Sequence, residues 1–392
     1  MCANYFDPLL LSSLLDAYVA ACLLLCLGYG WLLRKVLIAW RSIPVWTGVA
    51  SPQPQVSISV VIAARNEEAH IETCVRAVLE GTYPRTLREV IVVDDHSEDA
   101  TACVVADLVN AFPNEVRLLR LSDADSPSLL GKKKAIAHGI AHARGRLIVT
   151  TDADCIVPPD WLRELAAAYE RHRPSAIVAP ISLRTRSSCW ENFQALDSAA
   201  TMGIAGAALT RGWFALGSGA NLCYPKAVFL RLNGFAGNEH YASGDDMFLL
   251  SKLPLKEILF LKSTKAVVCT LPCPTLSAFL QQRLRWGTKN AHWPNNRLRA
   301  VLGLMWMFSF TWVINVLVAF EHPLLGIVAF VQLGVRAWAD RALLSEMCTF
   351  FCQRNALRSF WPALIMHFIY LAVVGTATLF FRRYTWKGRR WK

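Results

Sequence analysis

Residues 9–33 form a mainly apolar stretch that is long enough to cross a lipid bilayer as one helix. The stretch contains one acid, Asp16, and is followed at once by Arg34 and Lys35. A cleaved signal peptide carries its positive charges before the apolar run and a small-residue cleavage site after it, and neither is evident here. Residues 1–50 are therefore predicted to be an uncleaved transmembrane anchor.

The other end of the chain, residues 300–392, is predicted to hold further transmembrane segments and a basic tail. Residues 302–320 and 323–338 are expected to form a hairpin across the bilayer, and residues 360–381 one further span. Three such spans would leave the tail RRYTWKGRRWK outside, against the usual cytoplasmic bias of Lys and Arg. Either one segment lies in the interface or re-enters, or a span is miscounted, and the amphipathic stretch 341–358 is the first candidate.

Charge bias sets the expected orientation. Arg34, Lys35 and Arg41 follow the first apolar segment, while the residues before it carry only Asp7. This pattern places the N-terminus outside and the middle of the chain in the cytoplasm. The prediction is a multi-pass protein of the cell membrane with roughly four membrane segments.

The formal net charge of +12 does not indicate a nucleic-acid-binding protein. The Lys and Arg clusters lie beside the apolar segments, where anionic lipids attract them. No helix-turn-helix, zinc-finger or RNP signature accompanies them. The twelve cysteines form no C-x-x-C pair and are predicted to be reduced, with a metal or disulfide role as the minority reading.

The middle of the chain, residues 51–299, is assigned to one globular domain that begins with a polar, proline-bearing link. Within it, β-branched runs alternate with helical patterns, and Ser97 is a predicted N-cap of the second helix. Strand and helix in turn predict parallel βαβ units, and hence an α/β sheet covered by helices. The runs are VSISVVIAA, NEEAHIETCVRAVLEG, EVIVVDD, SEDATACVVADLVNAF, EVRLLRL, KKKAIAHGIAHARG and RLIVTTD.

Paired acids follow two of these predicted strands. Asp94 and Asp95 end the second strand, and Asp152 and Asp154 end the fourth. A single acid in such a place is more often a helix cap or a turn residue. Because parallel sheets bind ligands at the carboxyl ends of their strands, two such pairs with Lys132 on the preceding loop are expected to form one cluster. Carboxylates so placed repel unless a cation joins them.

A D-x-D arrangement of oxygen ligands suits a hard divalent cation. Mg²⁺ takes one or two protein carboxylates and fills its other positions with water and substrate phosphates, so the expected partner is a diphosphate. The usual phosphate motifs are incomplete, because residues 131–134 lack the Ser or Thr of a P-loop and residues 217–222 lack the third glycine of a dinucleotide fingerprint. The sequence therefore argues against a P-loop NTPase and against a dehydrogenase, and it indicates another class of enzyme that binds a nucleotide diphosphate.

Seven blocks carry a resemblance to a known family. They run in order over about residues 55–290 and resemble the membrane-integrated branch of glycosyltransferase family 2. The resemblance implies a GT-A fold flanked by transmembrane helices, a nucleotide-diphosphate sugar donor, a divalent metal (Mg²⁺ or Mn²⁺) and transfer with inversion at the anomeric carbon. The blocks are AARNEE (63–68), VVDDHSED (92–99), GKKKAI (131–136), TTDADC (150–155), GANLCYPKAVFLRLNGF (219–235), SGDDMFLL (243–250) and QRLRW (282–286).

The resemblance also implies roles for individual residues. Asp154 matches the metal ligand, and Asp152 lies beside the donor and shares in the metal site. Asp246 matches the catalytic base, with Asp245 next to it, and Arg285 stabilises the leaving diphosphate. The positions that match residues binding the substrate are Glu67, Asp94, Asp95, Lys132, Asp152, Gln282, Arg285 and Trp286.

The sequence departs from the family pattern in two of these blocks. Gly244, Asp245 and Asp246 stand where the family has T/E-E-D, so the choice of Asp246 as the base rests on alignment with E-D. His96 stands where glycine is common, which favours a turn residue.

The acceptor is predicted from the number of spans. Roughly four membrane segments are too few for an obvious pore, which favours one sugar added to a lipid or membrane-associated acceptor. UDP is the commonest donor nucleotide in the resembled family, and GDP-sugars are possible. The alternatives are a processive polysaccharide synthase that works as an oligomer or with a partner subunit, and a membrane scaffold without activity.

Overall fold

The computed structural model describes residues 8–48, 54–122, 129–186, 188–239, 244–287 and 295–380, and the backbone of 384–386 and 389–391. Strands and helices alternate through its middle, and long helices lie at both ends. The strands are β1 (Ile58–Ala64), β2 (Arg88–Asp94), β3 (Val116–Arg120), β4 (Leu147–Asp152), β5 (Ala176–Val178), β6 (Ile181–Leu183), β7 (Leu222–Pro225), β8 (Ile258–Phe260), β9 (Val268–Thr270), β10 (Tyr384–Trp386) and β11 (Arg389–Trp391).

The helices of the middle region cover the sheet, and those near the ends form a bundle. They are α1 (Pro8–Ser42), α2 (Ile71–Leu79), α3 (Thr101–Ala111), α4 (Lys132–His142), α5 (Trp161–His172), α6 (Cys189–Thr210), α7 (Lys226–Arg231), α8 (Asp245–Ser251), α9 (Leu276–Gly287), α10 (Asn296–Val318), α11 (Pro323–Phe350) and α12 (Phe360–Phe380).

Seven strands form the central sheet in the order β3-β2-β1-β4-β7-β5-β8. The strands β1 to β4 are parallel neighbours, as the alternation of strand and helix predicts. Strand β7 differs, because it runs antiparallel to both β4 and β5 and makes the sheet mixed. The sequence prediction missed this strand, since β7 follows the long helix α6 and enters the sheet from its opposite end. The α/β class is confirmed.

The central strand β1 shows how the sequence builds the two faces of the sheet. Ile58, Val60 and Ile62 point into one apolar core, against α2, α3 and α5, while Val61 points into a second core that includes α4. Burial on both faces explains why β1 is a nearly continuous apolar run. Each fully buried Val or Ile contributes about 1.5–3 kcal/mol of hydrophobic free energy.

The second core is continuous with the helix bundle. Tyr29 of α1 stacks on Phe308 of α10 at a centroid distance of 4.4 Å, and Trp312 stacks on Phe368 of α12 at 4.3 Å. These rings belong to the same cluster as Val61 and other residues of the sheet. The bundle and the sheet therefore share one apolar interior.

In the part of the chain that the structure describes, four helices are long and apolar enough to cross a membrane. By length and composition they are Ser12–Ser42, Asn296–Val318, Pro323–Phe350 and Arg354–Phe380. All four correspond to predicted segments, and α11 runs to Phe350, so that it is longer than the expected span 323–338. The amphipathic stretch 341–358 is therefore no separate interfacial helix. Its first part completes α11, and Arg354–Ser359 forms a 3-10 turn before α12.

The capping prediction for α3 was wrong. The helix begins at Thr101 after Ala100, so Ser97 lies outside it. The Oγ of Ser97 instead accepts a hydrogen bond from the backbone N–H of Asn66 at 3.0 Å. Residues 97–100 form hydrogen bonds with the loop that follows β1, and the first helical turn therefore begins only at Thr101.

Candidate functional site

The RNEE motif after β1 is fixed to the loop that follows β2. Arg65 is buried, and its Nη1 donates to the backbone oxygens of Asp95 and His96 at 2.7 and 3.0 Å. The Oδ1 of Asn66 accepts from the backbone N–H of Glu98 at 2.9 Å. Two sequence blocks of the resemblance therefore form one rigid wall at the carboxyl edge of the sheet.

Three of the predicted substrate-binding acids lie along this wall. The backbone N–H of Glu67 donates to the Oγ1 of Thr101 at 2.7 Å. Asp94 and Asp95 are buried, and an oxygen of Asp94 accepts from the backbone N–H of Ser97 at 3.3 Å. Backbone bonds thus set the positions of all three acids before any ligand binds.

His96 adopts a backbone conformation that explains why glycine suits this position. Its φ is 55°, in the left-handed region, which glycine enters freely and histidine tolerates better than most residues. Its Nδ1 lies 3.1 Å from the Oδ1 of Asp95, and its side chain is 36% exposed. Both observations support the reading of His96 as a turn residue that orients the neighbouring carboxylate.

Lys132 joins two of the predicted acidic motifs. Its Nζ forms an ion pair with the Oδ1 of Asp152 and lies 3.4 Å from the Oδ2 of Asp245. Burial opposes a charge here, but the carboxylates of Asp152 and Asp245 outweigh it, so the pKa of Lys132 is raised. The lysine is a fixed positive charge between the start of α4 and the start of α8.

The D-x-D motif forms a group that fits a divalent cation. Asp152, Asp154 and Cys155 each present a ligand atom, and these atoms lie within 4.8 Å of one another. Burial, with the charges of both acids, raises the pKa of the Cys155 thiol well above its ordinary value. A protonated thiol is a poor ligand for a hard ion, so the two carboxylates are the residues that would hold Mg²⁺ or Mn²⁺.

A cavity of about 170 Å³ opens beside the D-x-D motif. Asp154 and Cys155 form one wall, and His70 and Arg184 belong to its lining. Neither His70 nor Arg184 was singled out by the sequence analysis. No phosphate-binding motif surrounds either residue in the sequence. The fold brings them to this cavity, because His70 directly precedes α2 and Arg184 directly follows β6.

Asp246 binds the backbone of Gly219, a residue that also lies close to Lys132. Its Oδ2 accepts from the backbone N–H of Gly219 at 3.0 Å, and its Oδ1 accepts from the N–H of Met247 at 2.6 Å. Asp245 is buried beside Lys132, whereas Asp246 is only partly buried. Of the two adjacent acids, Asp246 is thus the one with access to a ligand.

Position 219 requires a glycine, because the side chains of Asp245 and Lys132 lie close to its backbone. A Cβ at this position would collide with the Oδ2 of Asp245 and lie 3.1 Å from the Nζ of Lys132. The glycine lets the backbone pass directly beneath the charged pair. It belongs to the GANL block, for which the sequence analysis predicted no role of its own.

Helix α9 carries Gln282, Arg285 and Trp286. Burial raises the pKa of the Cys273 thiol, against the opposing effect of Arg283 and Arg285 on this helix. The side chain of Trp286 is 41% exposed.

The residue inside the motif, Arg283, anchors α9 to the bundle. It is buried, and its Nη2 lies 2.6 Å from the Oδ2 of Asp197 on α6. The other oxygen of Asp197 lies 3.0 Å from the Nε2 of His367 on α12. Burial would raise the pKa of Asp197, but Arg283 and His367 outweigh it and hold that pKa below its ordinary value. The guanidinium of Arg283 also lies 4.4 Å from the Trp286 ring.

The predicted residues fall into neighbouring groups along one edge of the sheet. Lys132, Asp152 and Asp245 are in contact, with Asp154 and Asp246 beside them. The pair Asp94 and Asp95 ends β2, which is separated from β4 by β1. Because neighbouring strands are about 4.8 Å apart, this pair lies roughly 10 Å from the D-x-D strand. A single cluster was expected, and the structure shows an elongated site instead.

These features define a GT-A domain with an acidic, lysine-bridged cleft at the carboxyl edge of its sheet, flanked by apolar helices. The profile of Glycosyl transferase family group 2 matches residues 147–380, more than half of the chain. That of Glycosyl transferase family 2 matches residues 59–195. The chain therefore belongs to glycosyltransferase family 2, and the resemblance stated from its motifs is confirmed.

Individual relatives match smaller parts. A beta-monoglucosyldiacylglycerol synthase of Synechocystis sp. is 34% identical over 126 residues, which are 32% of this chain and 26% of that protein. An N-acetylglucosaminyltransferase of Mesorhizobium japonicum is 23% identical over 330 residues, 79% of this chain and 74% of that protein. The chain thus matches only about a quarter of the length of the Synechocystis synthase.

A solved structure confirms the fold. A mannosyltransferase of Pyrobaculum calidifontis, in complex with GDP-Man and Mn²⁺, superposes with a TM-score of 0.55 at 19% identity, over 93% of this chain and 97% of that one. The GT-A architecture expected from the sequence is therefore confirmed.

Proposed function

We propose that the protein is a membrane-bound, inverting glycosyltransferase. It moves a sugar from a nucleotide-diphosphate sugar to a hydroxyl of a lipid or membrane-associated acceptor. The observation that carries this proposal is the placement of Lys132 between the D-x-D carboxylate Asp152 and the α8 carboxylate Asp245, with Asp246 beside them. A metal-binding pair and a general base meet there in one cleft.

The donor lies along the elongated edge. The wall formed by Glu67, Asp94 and Asp95 receives the base and ribose, and the diphosphate reaches the D-x-D motif. Asp152 and Asp154 would hold a divalent cation, whose charge would stabilise the departing diphosphate. UDP-sugars are the first candidates. The Pyrobaculum structure, with its GDP-Man and Mn²⁺, supports the test of GDP-sugars and Mn²⁺ alongside them.

The protein's own residues supply the proton transfer. The acceptor oxygen attacks the anomeric carbon from the face opposite the diphosphate, so the new C–O bond forms as the bond to the diphosphate breaks. Asp246 accepts the proton of the hydroxyl. Its two backbone hydrogen bonds hold the carboxylate in one orientation. Arg285 on α9 donates to the departing diphosphate with a fork that lysine lacks.

The membrane location rests on the four apolar helices. The similarity to the Synechocystis beta-monoglucosyldiacylglycerol synthase supports a lipid as the acceptor. The basic residues after α1 support a cytoplasmic position for the catalytic domain.

The experiment compares membranes that carry the wild type, Asp246→Asn or the exposed-site control Asp107→Asn. Each sample is incubated with labelled UDP- and GDP-sugars and Mg²⁺ or Mn²⁺, and the product is partitioned between organic solvent, water and pellet. Label in the organic phase with the wild type and the control, reduced at least 10³-fold in Asp246→Asn, supports the proposal. Large water-soluble or insoluble product would identify a polysaccharide synthase. Full activity of Asp246→Asn would refute the assignment of the base.

A further inference from the structure

A cavity of about 180 Å³ lies inside the helix bundle. Helices α1, α6, α10, α11 and α12 all contribute to its lining. The volume exceeds that of an engineered cavity of about 150 Å³ that stays dry and binds benzene. A space of this size in an otherwise close-packed bundle is suited to a ligand.

The wall of this cavity is mainly apolar, and its polar groups are engaged with one another. The hydroxyl of Tyr29 donates to Asp340, and the Nε2 of His367 lies 3.0 Å from Asp197. Both pairs belong to the lining, while most of the other lining residues are Leu, Ala, Val, Phe, Ile and Met. The cavity therefore favours a hydrocarbon over a charged head group.

One end of the cavity reaches the neighbourhood of the proposed base. Leu216, Leu298 and Val301 line the cavity and also belong to a small apolar cluster that includes Met247. Met247 directly follows Asp246, whose carboxylate it binds through its backbone N–H. The lining of the cavity is thus linked through one apolar cluster to the residue that follows the proposed base.

Another wall of the cavity touches the helix of the Q-x-x-R-W motif. Tyr370 lines the cavity, and its ring lies 5.3 Å from that of Phe279 on α9. The guanidinium of Arg283 lies 5.7 Å from the same Tyr370 ring. Asp197, the partner of Arg283, is itself a lining residue. The residues that line the cavity are therefore in direct contact with α9.

We propose that this cavity holds a hydrocarbon chain of the acceptor lipid and directs the hydroxyl of that lipid toward Asp246. The inference rests on the proposed function and adds its acceptor class: a long-chain hydroxyl-bearing lipid, with one chain held between the helices. Contact with Tyr370 and Asp197 places this chain against the residues that hold α9. The acceptor is thus recognised mainly by its apolar chain.

The test fills the cavity and measures the use of acceptors of different length. Ala200→Leu and Ala363→Leu each add bulk to the lining, and Ala300→Leu makes the same change at an exposed position of α10. In detergent, each full-length protein receives hexadecanol or butanol as acceptor with the labelled sugar nucleotide that the wild type uses. Release of the free nucleotide with water as acceptor is recorded in parallel.

The expected result is a loss of at least tenfold in transfer to hexadecanol for the two cavity variants. Their transfer to butanol and their water-dependent release of the nucleotide stay within twofold of the wild type, as do all activities of Ala300→Leu. If the cavity variants transfer sugar to hexadecanol at the same rate as the wild type does, the inference is overturned and the proposed function stays intact.

A second measurement does not depend on the variants or on turnover. A hexadecanol analogue with a diazirine near the end of its chain is photolysed with the wild type, and the labelled peptides are identified by mass spectrometry. Label on α6 and α12, displaced by excess hexadecanol but not by butanol, supports the inference. Label confined to other segments overturns it. If the wild type transfers no sugar to any acceptor, the proposed function fails, and this labelling still decides what the cavity binds.

Discussion

The Nζ of Lys132 lies 3.4 Å from the Oδ2 of Asp245, while the same ammonium group is paired with Asp152. One partly buried lysine thus joins the first turn of α4 to the first turn of α8 and to the end of β4. The arrangement makes the lysine both a structural element and an electrostatic one, and two predictions follow from its surroundings.

Replacement of Lys132 by Met removes the charge that two carboxylates share. Breaking a fully buried ion pair from one side costs about 3–5 kcal/mol, and a smaller loss is expected here because solvent screens Asp152, which is 39% exposed. We expect a lower unfolding temperature in detergent and a partial recovery when Mn²⁺ is added. The exposed control Lys256→Met should unfold as the wild type does. Equal unfolding temperatures of Lys132→Met and the wild type would contradict the structural role.

Replacement of Gly219 by Ala forces a methyl group against Asp245 and Lys132. The pair must move, and Asp246, which binds the backbone N–H of Gly219, must move with it. We expect sugar transfer to fall at least 100-fold, since displacement of a catalytic group by about 1 Å has an effect of this size. Gly303→Ala provides the matched control, because nothing lies within 4 Å of its added methyl group. Activity is measured as labelled product per unit of folded protein.

The two arginines of α9 are predicted to fail in different ways. Arg283→Met leaves the buried carboxylate of Asp197 without its 2.6 Å partner and should destabilise the protein by about 3–5 kcal/mol. Arg285→Lys should leave the unfolding temperature unchanged and slow sugar transfer at least tenfold, because lysine cannot form two parallel bonds to a diphosphate. Thermal unfolding and turnover are measured on both variants. The reverse pattern would show that the two roles are exchanged.

Metal removal tests the D-x-D motif. EDTA should abolish sugar transfer by the wild type, and Mg²⁺ or Mn²⁺ should restore it. In Asp154→Asn the metal concentration for half-maximal activity should rise at least tenfold, because one of two carboxylate ligands loses its charge. Asp107→Asn, on the exposed face of α3, serves as the control. Activity that survives exhaustive chelation would exclude a required cation.

The burial of Lys133 leads us to expect an unusual dependence of the free energy of unfolding on pH. Burial lowers the pKa of Lys133 from 10.5 to about 8, against the opposing effect of Asp245 and Glu239. Between these two values the unfolded chain binds more protons than the folded one, so the free energy of unfolding rises with pH, by up to about 3 kcal/mol. Lys133→Met should remove this rise and be more stable than the wild type at pH 7. Unfolding in detergent at pH 7 to 10 tests the difference.

The parallel half of the fold could be predicted from the sequence because its signals are local. The β1 run ISVVIAA is apolar at nearly every position, and Asp94 and Asp152 mark the ends of β2 and β4. Strand β7 is different, because its four residues LCYP include a proline and follow a loop after α6. Its antiparallel place next to β4 depends on tertiary packing that no local pattern expresses.

The candidate site shows the same division. Asp152 and Lys132 could be predicted because they follow local strand patterns, whereas Asp246 was identified only through its block of the resemblance. Arg283 and Asp197 were missed, since their pairing joins positions that are far apart in the chain, and an arginine or an aspartate on a helix is ordinarily an exposed residue. The roles predicted for the site residues remain predictions until the variants above are measured.

The packing of α1 against α11 has a consequence for how the protein is made. Tyr29 and Asp340 meet only after more than three hundred intervening residues have left the ribosome. The sheet domain is thus inserted between two parts of one helix bundle, and both of its ends are connected to that bundle. The shared apolar core fixes the position of the cleft relative to the bundle. A chain cut within the domain should still assemble if both halves are synthesised together, and neither half should do so by itself.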